Sequence, residues 1–88
     1  MKIISIKSYS NGYTGIIEKG DKYILFNLSK KGKLKKLNEY NKEDFADYNH
    51  FVGMMSKFIP YSTFLKEPVK VESITIEELD RISDKRFI

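Results

Sequence analysis

Three turn signals at regular spacing constrain the fold of this chain more than any other feature. Ser10-Asn11-Gly12, Lys19-Gly20-Asp21 and the stretch around Gly32 contain the residue types that tight hairpin loops require. The short segments between them are rich in branched and aromatic residues, as strands are. The first forty residues therefore predict a four-stranded antiparallel meander, with strands at 2–9, 13–18, 22–28 and 34–40.

A helical pattern follows the predicted strands. Asn41 is a suitable N-cap, and apolar residues then recur at helical spacing until Pro60, which ends the pattern. We expect one long helix over residues 41–60. Its apolar stripe comprises Phe45, Tyr48, Val52, Met55 and Ile59, widened by Phe51 and Phe58.

The remaining residues predict a short strand and a second helix. Val69 and Val71 alternate with charged neighbours after Pro68, and Thr75 with Glu78 has the spacing of a capping box. The expected fold is α+β and forms a single domain over residues 1–88. In it the antiparallel four-stranded meander (1–40) is packed by the long helix (41–60), and a short strand and C-terminal helix (68–88) follow.

The strand pairing decides which side chains share a sheet face. With three-residue turns, one face is apolar and suits the long helix; it carries Ile4, Ile6, Ile16, Ile24, Phe26 and Leu28. The other, odd-numbered face would carry three tyrosines beside polar and a few apolar residues: Tyr9, Tyr13, Tyr23, Ser5, Lys7, Gly15 and Asn27, with Ile3, Ile17 and Leu25 among them. Such a face can stack unpaired bases while ammonium groups meet phosphates. Tyrosines also pair across exposed strands for stability alone, so both interpretations stay open.

Positive charge is concentrated in the segment Ser29-Lys30-Lys31-Gly32-Lys33-Leu34-Lys35-Lys36. Residues 1–40 contain nine lysines and three acidic residues, a balance of +6, whereas residues 41–88 balance to −2. One interpretation is a contact with a polyanion or an acidic protein surface. The other is passive protection of an edge strand. Under both interpretations Leu34 and Leu37 are expected to anchor the segment inward.

Two of the predicted strands carry a family resemblance. Gly12-Tyr13-Thr14-Gly15-Ile16-Ile17 followed by Tyr23-Ile24-Leu25-Phe26-Asn27-Leu28-Ser29 resembles the paired strand motifs of cold-shock and OB-fold domains. The first motif lacks its central aromatic residue, and a helix stands where later barrel strands would follow. The resemblance implies a shared physical arrangement, aromatic strands beside a basic loop, and no family assignment.

Catalysis and metal binding lack the residues that they need. The chain has no Cys and one His, His50, which excludes the common zinc ligand sets. Asp47 lies one helical turn before His50, but the available third member, Ser56, is nearly two turns away. Acidic pairs at the predicted helix starts are interpreted as N-terminal carboxylates. We therefore expect no enzyme, no cofactor and no metal site.

Two functions from different classes remain. The first is a small non-enzymatic protein that binds single-stranded RNA or DNA through the basic hairpin and the tyrosine face. Its candidate residues are Lys7, Tyr9, Tyr13, Lys22, Tyr23, Lys30, Lys31, Lys33, Lys35 and Lys36. The alternative is a phage or mobile-element protein that inhibits or regulates a host macromolecule, such as a nucleic-acid-processing or defence complex, by direct protein–protein binding. An acidic host surface would suit it, and an exposed Phe64 or Phe87 would favour it.

The composition also sets expectations for location and partners. The lysine-rich, alanine-poor composition is typical of AT-rich phages and mobile elements. No apolar run approaches the ~18 residues of a membrane span, and the N-terminus does not read as a signal peptide. We expect a cytoplasmic protein, in the host cytoplasm if phage-encoded, with no membrane contact and no small-molecule substrate.

Overall fold

A computed structural model describes residues 1–83 of the chain. Its five strands form one antiparallel sheet: β1 (Lys2–Tyr9), β2 (Gly12–Lys19), β3 (Lys22–Ser29), β4 (Leu34–Asn41) and β5 (Phe64–Lys70). Two short helices, α1 (Tyr48–Met55) and α2 (Ile76–Ser83), and 3₁₀ turns at Lys42–Asp44 and Tyr61–Thr63 complete the described part. The strand order is β4-β3-β2-β1-β5. The α+β class is confirmed, and the fifth strand joins the meander beside β1.

The long helix predicted over residues 41–60 is wrong. Asn41 remains in β4, paired with Lys22. Helix α1 begins only at Tyr48, where the Asp47 carboxylate accepts a hydrogen bond from His50 N at 2.8 Å. Asn and Asp are both good N-caps, so residue type alone does not select between the two positions. The predicted apolar stripe does pack into one core, as Phe45, Tyr48, Val52, Met55 and Ile59.

The sheet carries a helix on each face. The α1 core contains Ile4, Ile16, Tyr23, Phe51, Val52, Met55 and Phe64. The α2 core contains Ile3, Ile6, Ile17, Phe26, Leu28, Leu65, Val71, Leu79 and Ile82. Burial on both faces explains why β1 reads as a nearly continuous apolar run rather than a clean alternation. A helix therefore packs against part of each sheet face, including the face that the sequence assigned to base stacking.

The hairpin register differs from the predicted one because the first two turns contain two residues each. Tyr9 pairs with Gly12, and the next hairpin is equally tight. Gly20, at φ +59°, fills the first central position of its turn, where a type II′ turn takes glycine. Each of the two turns is one residue shorter than predicted. Even-numbered residues of β2 therefore share a face with odd-numbered residues of β3, and of β1 from Ser5 onward. As a result Tyr13 faces α2 and Tyr23 faces α1, so the predicted tyrosine face does not form.

A bulge in β1 completes the change of faces. Ile3 pairs with Ile17 and Ser5 pairs with Ile16, which leaves Ile4 as the extra residue. A bulge reorients the side chains that follow it. Ile4 consequently lies in the α1 core, whereas Ile6, which would share its face in a regular strand, lies in the α2 core. The single apolar face predicted for β1 is split between two cores.

The C-terminal elements follow the sequence prediction in part. Strand β5 begins at Phe64, before the predicted start, and Phe64 is fully buried. The exposed Phe64 that would favour a protein partner is therefore not found, and Phe87 lies outside the described residues. The predicted cap of α2 is confirmed, since Thr75 Oγ1 accepts a hydrogen bond from Glu78 N at 3.2 Å.

Tyr48 makes the stability of the α1 layer sensitive to alkaline pH. Its hydroxyl is buried and has no hydrogen-bond partner among residues 1–83. Burial, followed by the nearby Tyr23 and Glu18, raises the pKa of Tyr48 from 10.0 to about 12. The folded protein therefore holds this proton more tightly than the unfolded chain. The resulting contribution to stability is complete below pH 10 and is lost as the pH rises towards 12.

We expect Tyr48→Phe to remove this alkaline loss and to raise the free energy of unfolding by about 1 kcal/mol, because an unsatisfied hydroxyl is deleted. Urea melts of both proteins below pH 10 and near pH 12 would measure the difference. The advantage of the variant should grow with pH. A constant difference across that range would show that the Tyr48 proton is not coupled to folding.

Candidate functional site

The lysine-rich segment connects β3 to β4 and continues along β4, which is an edge strand. Ser29 N donates to Lys33 O at 2.9 Å, and Lys33 N donates to Ser29 Oγ at 3.1 Å, with Gly32 between them at φ +86°. Lys30 N donates to Asn11 O at 3.0 Å. This last bond fastens the lysine turn (residues 30–33) to the β1–β2 turn. The charged tip is therefore held against the end of the sheet.

The five lysines of this segment are all exposed: Lys30, Lys31, Lys33, Lys35 and Lys36. Within residues 1–83, only Lys36 of these five has a carboxylate within 4.0 Å, Glu39 Oε1 at 3.3 Å. The other four ammonium groups have no such neutralising neighbour in the described part of the chain. Clustered charge of one sign raises the local concentration of oppositely charged ligands.

Leu34 and Leu37 do not anchor β4 as expected. They are 50% and 44% exposed. Leu37 is the extra residue of a bulge. Leu25 pairs with Asn38 and the next residue, Phe26, pairs with Lys36, so Leu37 has no partner in the register. Bulges and lysines are both common on edge strands, where they discourage association with other sheets. The passive interpretation of this segment thus has structural support for β4 itself.

Three predicted binding residues are engaged inside the fold. Tyr23 is 5% exposed and stacks on Phe51, with ring centroids 3.8 Å apart. Its burial, together with nearby carboxylates, raises the pKa of Tyr23. Tyr13 packs against the α2 core, and its hydroxyl donates to Asp80. Lys22 lies at the end of the sheet away from the lysine turn, and its Nζ donates to Asn41 Oδ1. These contacts give the three side chains structural roles.

A row of polar residues crosses the sheet near the lysine turn. Lys7 pairs with Thr14, Thr14 with Asn27, and Asn27 with Lys35. Directly paired residues of an antiparallel sheet share a face. Leu25, two residues before Asn27, packs against the α1 core, so this is the α1 face. We call Lys7, Thr14, Asn27 and Lys35 the basic row; it has a lysine at each end and no carboxylate.

A cleft of about 230 Å³ lies beside the basic row. Lys7, Thr14 and Leu25 line it on the sheet side, and Phe58 with Pro60 lines it on the side of the segment that follows α1. Phe58 is 79% exposed. The cleft is smaller than the ~300–1,000 Å³ of typical small-molecule pockets. It offers an apolar ring, a hydroxyl and an ammonium group around one shallow opening.

A second cleft, of about 440 Å³, lies at the same end of the sheet on the α2 side. It brings together three of the predicted residues, Tyr9, Tyr13 and Lys30. Asp80 also lines it and accepts the hydrogen bond from Tyr13. A carboxylate in this position repels an anionic ligand. Of the two clefts, the one beside the basic row therefore offers the more favourable charge to a polyanion.

The residues considered for catalysis make hydrogen bonds with the backbone near the two ends of α1. His50 Nδ1 accepts a hydrogen bond from Ala46 N at 3.1 Å, while the Asp47 carboxylate bonds to the backbone of His50 and not to its ring. Ser56 Oγ donates to Gly53 O at 2.7 Å. Within residues 1–83, no three His, Asp or Glu side chains lie together as a metal site would require.

Sequence reasoning missed Phe58, Thr14 and Asn27 as candidate site residues. Phe58 was assigned to the apolar stripe of the long helix, and it falls outside the core because α1 ends at Met55. Thr14 and Asn27 join the lysines only through strand pairing. No local signal identifies Thr14 and Asn27, because the row depends on the two-residue length of the first two turns, which the turn residues do not specify.

Comparisons of the chain with models of known protein families, with curated proteins and with solved structures find no match. Within residues 1–83 the sheet is open, with β4 and β5 at its edges, and does not form the closed barrel of an OB-fold domain. Neither helix within residues 1–83 is long and apolar enough to cross a membrane. The function is therefore inferred from the chain's own residues.

Proposed function

We propose that the protein binds a polyanion, single-stranded RNA or DNA, at the lysine-bearing end of its sheet. The observation that carries this proposal is the basic row on the α1 face. Lys35 belongs both to the row and to the lysine-rich segment, so the two features are continuous. No enzymatic step is part of the proposal.

The width of the basic row favours an extended ligand over a single small anion. Neighbouring strands lie about 4.8 Å apart, so the backbones at Lys7 and Lys35 are separated by roughly 14 Å across four strands. Strand side chains stand roughly perpendicular to the sheet, so a single phosphate would reach both ammonium groups only if the two lysines bent toward each other. A chain of phosphates can contact both lysines without that bending, and each contact would release a condensed counterion.

The middle of the row offers hydrogen-bonding groups in place of charge. Thr14 Oγ1 donates to Phe26 O at 3.0 Å and keeps acceptor capacity. The Asn27 side-chain amide has no hydrogen-bond partner among residues 1–83. An amide can donate to and accept from a base edge or a ribose hydroxyl. This arrangement suits a nucleic acid better than a featureless polyanion.

The proposal is tested by changing Lys31, Lys33 and Lys35 together to Ser. We expect weaker binding to a labelled single strand and a flatter dependence of affinity on salt. Each lost phosphate contact should lower the slope of log K against log salt by roughly 0.7. Fluorescence anisotropy titrations over a salt series starting at about 50 mM would measure the slope.

A matched control removes three lysines from the opposite end of the sheet. Lys2, Lys19 and Lys70 are exposed, and their change to Ser alters the net charge by the same amount. The control should keep the slope of the wild type. An equal loss in both triple variants would point to non-specific attraction. If no single strand binds at about 50 mM salt, the nucleic-acid function is wrong and inhibition through an acidic protein surface becomes the leading hypothesis.

A further inference from the structure

We infer that Phe58 stacks on an unpaired base, and that the cleft between Phe58 and the basic row is where the ligand's bases meet the protein. This inference rests on the proposed function and deepens it, because it assigns the ligand as a single strand with accessible bases. It also assigns a role to an aromatic side chain outside both cores.

The backbone around Phe58 explains why its ring is exposed. Phe58 N and Ile59 N both donate to Met55 O, each at 2.9 Å, in the turn that ends α1. Ile59 packs against the α1 core, and Pro60 O accepts a hydrogen bond from Thr63 N at 2.9 Å. Residues on both sides of Phe58 are thus anchored. The ring is presented to solvent by a fixed turn, and it lines the cleft beside Lys7 and Thr14.

The chemistry around the cleft matches a nucleotide in two respects. Phe58 supplies a π-face, which any base can stack on, and Lys7 supplies a cation for the adjoining phosphate. Bases inside a duplex are already stacked and cannot offer a free face, whereas unpaired bases can. The carboxylates of an acidic peptide would pair with the lysines, but they have no planar ring to stack on Phe58 as a base does. The combination therefore favours a single strand.

The chain contains no Trp, so Phe58→Trp would place the protein's one tryptophan at the cleft. Titration with an oligothymidylate should quench its fluorescence, because a base stacks on the indole. Titration with inorganic polyphosphate should bind through the lysines without that quenching. Met54→Trp is the matched control: Met54 is exposed on α1 and does not line the cleft. Its fluorescence should change little with either ligand.

The outcomes separate the two claims. If neither ligand binds, the proposed function fails. If both bind and the tryptophan at position 58 is not quenched, or is quenched equally by polyphosphate, then polyanion binding stands and base stacking is overturned. Quenching by the oligothymidylate alone, at position 58 and not at position 54, supports the inference.

Phe58→Ala supplies an independent measurement. Loss of one stacked base should reduce affinity for the oligothymidylate roughly 5- to 150-fold. The salt slope should be unchanged, because stacking is not ionic, and polyphosphate affinity should stay the same. Phe58→Tyr should keep the affinity of the wild type, because it keeps an aromatic ring. The thermal melt should match wild type because Phe58 lies outside the core. A parallel loss of oligothymidylate and polyphosphate binding would contradict the inference.

Discussion

Tyr23→Ala is expected to lower the free energy of unfolding by about 3–5 kcal/mol, the range for truncating a large buried aromatic residue. The Tyr23 ring stacks on Phe51 at 3.8 Å and meets Phe45 edge-on at 6.2 Å, so its loss leaves a cavity between the sheet and α1. Urea denaturation followed by circular dichroism would measure the change.

Tyr9→Ala is the matched control for this prediction. Tyr9 lies at the end of β1 and is 41% exposed, so the change should stay within about 0.5 kcal/mol of wild type. Tyr23→Phe should also be mild, because it keeps the ring. If Tyr23→Ala proved as mild as Tyr9→Ala, the packing of Tyr23 against Phe51 in the α1 core would be contradicted.

The positions of the meander strands could be predicted because turn chemistry is local. Gly12, Gly20 and Gly32 each take a positive φ, at +146°, +59° and +86°, which residues with a side chain rarely adopt. The glycines therefore mark where the chain reverses. They do not state how many residues the loop contains. Side chains alternate with a period of two, so an error of one residue in loop length exchanges the faces of the next strand.

The helix boundary could not be predicted for a related reason. Apolar residues at helical spacing predicted one long helix. In the structure, however, Phe45 and Ile59 pack into the α1 core from segments before and after α1. Periodicity identified the residues that pack together and not the backbone that carries them. Asn41 and Asp47 were equivalent caps by residue type, and pairing of Asn41 with β3 decided between them.

The candidate site divides in the same way. The lysine-rich segment could be found because its charges are adjacent in sequence. The basic row could not, since Lys7, Thr14, Asn27 and Lys35 come from four strands and meet only through the correct register. Phe58 belongs to the candidate site because α1 ends at Met55, which leaves the Phe58 ring outside the core and beside the cleft. The part of the site made by local sequence was predicted, and the part made by tertiary pairing was not.

Gly15 shows how tightly the centre of the sheet is packed. A Cβ at this position would lie 2.2 Å from Ser5 O and 3.1 Å from Phe26 Cζ. The nearest obstacle is backbone of the adjacent β1, which cannot move without breaking the β1–β2 pairing. A side chain larger than that of glycine therefore cannot be accommodated at this position.

We therefore expect Gly15→Ala to cost more than about 3 kcal/mol, beyond the usual range for overpacking, because the clash is with backbone. Trimming the ring in Gly15→Ala/Phe26→Leu should not restore stability, since Ser5 O remains in place.

Gly53→Ala is the matched control: its Cβ would meet nothing within 4 Å, and Gly53 lies inside α1. The same chemical change should there stabilise the protein by about 0.5–1 kcal/mol, because alanine favours helix. Chemical denaturation of the three variants would measure both signs, and a rescue by Phe26→Leu would show that the ring, and not β1, sets the limit at Gly15.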